Sequence, residues 1–391
     1  MTPAARLQAA IEILDEVIEA ARNEGAPADA IVTRYFKTRR YAGSKDRRAV
    51  RELVFRAIRR TAERPDNGRA AILGLATDDP ELIGRFGEAR GPEPIAEGEA
   101  ASAAGIVPAW LVPELSPLVA PAEWPALTER APLDLRVNVA RTSREALLAA
   151  FPGASPTPRS PCGIRLPADS RIDESAAYRD GLIEVQDEGS QLIALACAPA
   201  GGQRILDLCA GAGGKALALA SAAPDATILA CDSNRGRLAK LPPRAARAGA
   251  AIETRLLNPP GELEQLQDWH NAADLVLVDA PCSGSGTWRR NPEGRWRLTP
   301  DRLDRLAAVQ ARLIAIAAEL VRPGGALVYA VCSLLTREGA GQVDAFLGGG
   351  SGWIAQDILL GIGRSDGNGR LLTPGHDATD GFFIARLVKP C

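Results

Sequence analysis

Arg204-Ile205-Leu206-Asp207-Leu208-Cys209, followed after Ala210 by Gly211-Ala212-Gly213-Gly214-Lys215, decides how the rest of the chain reads. The first six residues form a short, largely apolar run of the kind buried in a sheet. The glycines after it supply a tight turn that lets backbone N–H groups approach a ligand closely. Lys215 to Ala223 then carries a helical pattern. The loop fits G-x-G-x-x-A over Gly211 to Ala216, so it reads as a site for an adenosine-containing cofactor. A purely structural turn is the plain alternative, and NAD binding is a rival. A Walker A loop is excluded, because Ala216 follows Lys215 and offers no hydroxyl to magnesium.

Outward from this unit the pattern repeats. Ala226 to Cys231 is the next strand and ends at Asp232, where a carboxylate would meet two ribose hydroxyls. Arg235 to Ala248 is helical in pattern, with Pro242-Pro243 breaking or kinking it. Ile252 to Leu257, Leu275 to Asp279 and Gly325 to Val331 read as further strands, and Leu303 to Val321 as an amphipathic helix. Arg370-Leu371 and Gly381 to Leu387 read as a closing hairpin. Alternating strands and helices predict an α/β doubly wound sheet, whose ligands bind at the carboxyl ends of its strands. Asp134 to Val139, Ser143 to Phe151 and Gly163 to Leu166 form a small α/β insert before it. Upstream, residues 3–23 and 28–64 are helical in pattern, Asp79 to Glu99 reads as an acidic, Gly/Pro-rich loop, and Trp110 to Val119 as a short helix. The expected domains are 1–125, 130–185 and 186–391.

Composition narrows the class. The chain has 391 residues, 46% of them apolar, which suits a soluble protein of two or three domains. It has no apolar run long enough to span a membrane and no secretory pattern at Met1 to Arg6, so a cytoplasmic location is expected. Its seven cysteines are scattered and never spaced C-x-x-C, which argues against a disulfide framework and against a zinc site. With only His270 and His376, histidine-centred catalysis is disfavoured. The net charge of −2 hides a basic stretch: Arg34 to Arg64 holds twelve Lys and Arg against three acids. Such clustering marks either a solvated helix face or a surface for phosphates.

The second chemical feature is Asp279-Ala280-Pro281-Cys282-Ser283-Gly284-Ser285-Gly286, at the end of the fourth strand. Cys332 follows the fifth. Adjacent strands would bring both thiols and Asp279 to one sheet edge beside the glycine loop, which suggests covalent catalysis without histidine. A free thiol is a few per cent thiolate at neutral pH, so it needs local activation, for which Lys215 is the candidate. Two unrelated buried cysteines are the alternative.

Together these residues resemble the RsmB/Nop2/NSUN family of S-adenosylmethionine-dependent RNA cytosine-5 methyltransferases. The resemblance rests on Val185 to Gln191, Asp207 to Lys215, Asp279 to Gly286, Arg290-Asn291-Pro292-Glu293, Gln310 to Ser333 and Asp380-Gly381-Phe382-Phe383. It covers about residues 130–388, and residues 1–120 look more loosely like a helical NusB-like RNA-binding domain. The resemblance implies a Rossmann-like class I methyltransferase fold with S-adenosylmethionine as cofactor. It implies RNA as partner, 16S ribosomal RNA before transfer RNA, and a monomer without metal. It makes Cys332 the nucleophile that adds to C6 of cytosine, Cys282 the residue needed for product release, and Asp279 the carboxyl at N3. Cys209, Ala210, Gly211, Ala212, Gly213, Gly214, Lys215, Asp232, Asn258 and Asp279 match the cofactor positions. Departures are Gly211-Ala212 where the family has Ala-Pro, Asn258 where it has Asp, and Val331 where it has Thr. A ribosome-assembly factor that binds RNA without catalysis is the other reading these departures leave open.

Overall fold

The computed structural model describes residues 1–350, 352–358, 361 and 363–391, and the chain divides into two compact units. The helical unit comprises Met1–Leu115, Ala120–Glu129 and Thr287–Pro300. Its helices are α1 (Pro3–Arg22), α2 (Ala28–Lys37), α3 (Ser44–Arg60) and α4 (Gly68–Asp78). Thr2 starts α1 by accepting the Ala5 N–H at 3.1 Å, and Asn67 caps α4 in the same way at 2.8 Å. Leu7, Ile11, Leu14, Ile18 and Ala21 recur at helical spacing along α1 and are all buried. At Gly68 a Cβ would overlap the Ile11 carbonyl, so α4 crosses α1 at backbone contact. Trp110 to Val119, expected as a short helix, instead holds a 3₁₀ turn over Ala109–Glu114, with Pro113 inside it.

Thr287–Pro300 completes this unit's core. Trp296 is buried among the helices and its indole N–H donates to Thr61 O at 2.9 Å. Arg295 is fully buried and donates to the Ile58 and Ile106 carbonyls, both at 2.6 Å, near the end of α3. At the end of α3 the guanidinium joins the Thr61 N–H as a second donor to Ile58 O and also reaches Arg59 O at 3.2 Å. Burial lowers its pKa to about 10. Glu293 accepts the Ala28 N–H that opens α2, at 3.0 Å.

The α/β unit comprises Ser116–Val119, Arg130–Gly286 and Asp301–Cys391. It begins with a small antiparallel sheet in the order β2-β3-β1-β4, from β1 (Leu133–Val137), β2 (Ser155–Pro156), β3 (Gly163–Leu166) and β4 (Ile183–Val185). Short helices α5 (Arg144–Leu148) and α6 (Ala176–Arg179) close its core. The main sheet follows α7 (Glu188–Ala196). Its parallel part is β9-β8-β5-β6-β7, made of β5 (Arg204–Asp207), β6 (Thr227–Asp232), β7 (Glu253–Leu256), β8 (Ala273–Asp279) and β9 (Val321–Val331). Leu206, Leu229, Val276 and Val328 are buried, as strands covered on both faces require. The antiparallel edge consists of β10 (Ile354–Gln356), β11 (Arg364–Asp366), β12 (Gly369–Leu372) and β13 (Phe382–Val388), with β12 and β13 forming the expected hairpin.

The crossover helices include α8 (Gly214–Ala222), α9 (Arg235–Leu238), α10 (Leu241–Ala248), α11 (Glu262–Gln265) and α12 (Pro300–Leu320). The segment expected to be broken or kinked at Pro242-Pro243 is two helices, and the break falls just before them. Pro242-Pro243 sits in the first turn of α10, where a missing N–H costs nothing. No described helix is long and apolar enough to cross a membrane.

Candidate active site

Five parallel strands end on one edge, and four of them, β5, β6, β8 and β9, deliver a functional group there. After β5 the glycine loop turns back. Gly211 has φ +57° and Gly213 φ +85°, both left-handed. A Cβ on Gly213 would overlap the Leu241 side chain, so no other residue fits. Gly213 is also the N-cap of α8. The Ala210 N–H donates to Cys231 O at 2.7 Å and ties the loop to β6.

Asp232 ends β6. Its Oδ2 accepts the Gly211 N–H at 2.7 Å and its Oδ1 the Asn234 N–H at 2.6 Å. Each oxygen retains a second lone pair. Arg237 stands beside the loop: an ideal Cβ on Gly211 would lie 2.9 Å from its guanidinium.

Asp279 ends β8. Its Oδ2 accepts from Lys215 Nζ at 2.6 Å, in an ion pair whose Lys is 10% and Asp 29% exposed. Burial disfavours the Lys215 ammonium, but Asp279 outweighs it and holds the group above its ordinary value. Asp207, at the end of β5, is wholly buried, and the backbone N–H of Cys209 approaches its carboxyl without closing a hydrogen bond to either oxygen among the described residues. Burial, then the neighbouring Asp279, pushes its pKa up to about 7.

The two thiols meet. Cys282 Sγ lies 3.3 Å from Cys332 Sγ, and both are partly exposed. Strand register sets this up: Asp279 pairs with Ala330, so the chain leaves β8 and β9 side by side. The hydrogen bond with Cys332, together with burial, pushes the Cys282 thiol well above its ordinary value. Cys209 and Cys231 are raised by burial and are not poised to ionise.

All these groups except Asp207 and the loop's glycines open on one cavity of about 540 Å³ or stand directly behind its wall. Cys209, Ala210, Asp232, Asp279, Cys282 and Cys332 line it. Of the other residues expected at the cofactor, Gly211, Ala212, Gly213 and Gly214 shape the turn, and Lys215 acts on the wall through Asp279. Asn258 is exposed and off the wall, with its backbone N–H and side-chain amide both donating to Gln265 Oε1 at 3.1 and 3.3 Å. Arg237 and Arg302 do line the cavity and were not singled out in the sequence. Nor was Glu338, a buried acid behind the cysteine loops. A lone acid in a turn carries no sequence signal.

A family model described as 16S rRNA methyltransferase RsmB/F matches residues 194–388. Ribosomal RNA small subunit methyltransferase B of Salmonella arizonae is 32% identical over 293 residues, 72% of this chain and 66% of that protein. The chain thus spans just under two thirds of that relative's length. Among solved structures, PH0851 matches at TM-score 0.78 and 20% identity, over 100% of this chain and 99% of its own, which is a likeness of fold. A methyltransferase homolog protein from Pyrococcus horikoshii matches at TM-score 0.61 and 26% identity, over 71% of this chain and 92% of its own.

Proposed function

The chain belongs to the RsmB/F family of 16S rRNA methyltransferases, and from that premise we propose that it methylates C5 of a cytidine in RNA, small-subunit ribosomal RNA first and transfer RNA second. The observation that carries this reading is the 3.3 Å thiol pair at the ends of adjacent parallel strands, with Asp279 beside it.

S-adenosylmethionine fits the residues present. The cavity beside the glycine loop is lined by Cys209, Ala210 and Asp232, and Asp232 keeps lone pairs for the two ribose hydroxyls. When bound, this cofactor supplies the methyl group. The chain's own residues do the rest. C5 of cytosine is too weak a nucleophile unaided. Addition of the Cys332 thiolate to C6 converts the ring to an enamine, whose C5 is nucleophilic. Asp279 hydrogen-bonds N3, with the Lys215 ammonium behind it as a proton source. Once C5 carries its methyl group, its proton must leave before the Cys332–C6 bond can break. Cys282, in contact with Cys332, assists that release.

The helical unit supplies the RNA surface in this reading. Five of the twelve cations of the basic stretch are ion-paired: Arg34 with Glu16, Arg39 with Glu12, Arg51 with Asp29, Arg56 with Asp79 and Arg60 with Asp78. Lys37, Arg40, Lys45 and Arg48 are exposed and make no ion pair with a described residue, so they are available to phosphates. The test is incubation with methyl-labelled cofactor and bulk RNA. Label at cytosine C5 that disappears in Cys332→Ala is expected. Absence of label, or equal labelling by both proteins, refutes the reading.

A further inference from the structure

Behind the two cysteine loops lies a polar network that the reaction as described does not use. Glu338 is 0% exposed, yet no cation among the described residues pairs with it. Its carboxylate instead collects neutral donors from three directions. The Ser283 N–H reaches Oε1 at 2.9 Å and Oε2 at 3.2 Å, Gln310 Nε2 of α12 reaches Oε1 at 2.9 Å, and Ser333 Oγ reaches Oε2 at 2.6 Å. Ser283 and Ser333 are the residues immediately after Cys282 and Cys332. Their hydroxyls are 3.2 Å apart, and Ser285 Oγ contacts Ser333 Oγ at 3.2 Å and accepts the Leu334 N–H at 2.8 Å. Gln310 also donates to Pro281 O at 2.9 Å. One carboxylate therefore joins the loop after β8 to the loop after β9, one residue from each thiol.

We infer that Glu338 is a positioning residue for the thiol pair: it clamps the two loops in register and, as the buried negative charge on the Cys282 side, holds the proton shared by the sulfurs on Cys282, leaving the negative charge to Cys332. This rests on the reading of Cys332 as the nucleophile.

When the pair has lost one proton, the remaining proton sits on one sulfur or the other, and nothing else in the balance changes. The groups around it are unequal. Lys215, paired with Asp279, is within electrostatic reach of Cys332. Glu338 acts on Cys282, and the Tyr329 hydroxyl behind it is occupied in donating to Glu338 O at 2.7 Å. Arg302 stands across the cavity on α12. An ammonium toward one sulfur and a carboxylate toward the other split two otherwise similar thiols, and nearby charges of this kind move a thiol by a unit or more.

The test is alkylation of the full chain with iodoacetamide across a pH series, with the modified cysteines identified by peptide mass spectrometry. It needs neither RNA nor cofactor, so its failure is separate from failure of methyl transfer. In the wild type Cys332 is expected to label at lower pH than Cys282; the reverse order overturns the proposal whatever any variant does. Glu338→Gln keeps the shape and removes the charge. It is expected to lower the Cys282 midpoint by about one pH unit and to cut the Cys332 preference about tenfold. Glu338→Asp keeps the charge and is expected to keep the order. A folded Glu338→Gln protein with unchanged midpoints overturns the inference. If that variant does not fold, loss of the order in Glu338→Asp overturns it.

Discussion

Replacing Asp207 by Asn should make the α/β unit more stable at neutral and alkaline pH, although it removes a charged residue from the heart of the site. The carboxyl is fully buried, closes no hydrogen bond with a described residue although the Cys209 N–H approaches it, and burial lifts its pKa from 3.8 to about 7. Below about pH 4 both folded and unfolded chains hold the proton, and Asp207 imposes no penalty. Between about 4 and 7 the unfolded chain releases it while the native protein does not. Stability then falls by about 1.4 kcal/mol per pH unit. Above 7 the native group ionises too, and the loss levels off near 4 kcal/mol as an upper bound. Asn does not ionise, so it escapes this loss, but its buried amide leaves donors unpaired at a cost of about 1–2 kcal/mol. The net expectation is a variant slightly less stable than wild type at acid pH and about 2 kcal/mol more stable above pH 8. Denaturant unfolding of both proteins at the two pH values reads the difference directly. A variant that is equally destabilised at both would refute the reasoning, because it would mean that the native carboxylate is ionised and satisfied.

Three further outcomes follow from the same geometry. Gly213→Ala forces a side chain into φ +85° and against Leu241; it should cost about 2–4 kcal/mol and weaken cofactor binding at least ~10-fold by calorimetric titration. Cys282→Ala should accumulate an RNA–protein adduct through Cys332 on denaturing gels, and the Cys282→Ala/Cys332→Ala protein should not; normal turnover by the single variant would remove Cys282 from product release. Reversing the charges of Lys37, Arg40, Lys45 and Arg48 together should weaken RNA binding and flatten its logarithmic salt dependence by about three, whereas reversing the ion-paired Arg34 and Arg51 should change the slope far less.

The sequence was most legible where a local pattern and a tertiary requirement coincide. Four of the parallel strands were readable because burial on both faces makes them largely apolar, unlike the half-exposed edge strand β7, and the glycine loop because only glycine accepts its φ values. The thiol pair was readable because each cysteine directly follows a recognisable strand end. What escaped depends on partners far along the chain. Thr287–Pro300 reads as part of the α/β run, but Trp296 and Arg295 find their places among Ile58, Thr61 and Ile106. The basic stretch was visible as a count of charges, while the pairing that leaves only some of them free depends on acids such as Glu12, Glu16 and Asp79. Asn258 was matched by position after β7, and position alone did not reveal that Gln265 holds it.

The acids of the site make the same point chemically. Asp207, Asp232, Asp279 and Glu338 all sit at or behind one sheet edge, and a sequence presents them as four equivalent carboxylates. Their surroundings make them different reagents. Asp232 is anchored by two backbone N–H groups and keeps lone pairs for hydroxyls. Asp279 is tied to an ammonium at the cavity wall. Asp207 closes no hydrogen bond with a described residue and takes up a proton itself near neutral pH. Glu338 has neutral donors and no cation among the described residues, and in the inference above its charge acts on the Cys282 thiol. That division is how the proposed covalent chemistry would run without a histidine among the residues that line the cavity. Proton supply, charge placement and ligand binding, which an imidazole would combine, are assigned to separate carboxylates whose partners, rather than whose identities, set what each one does.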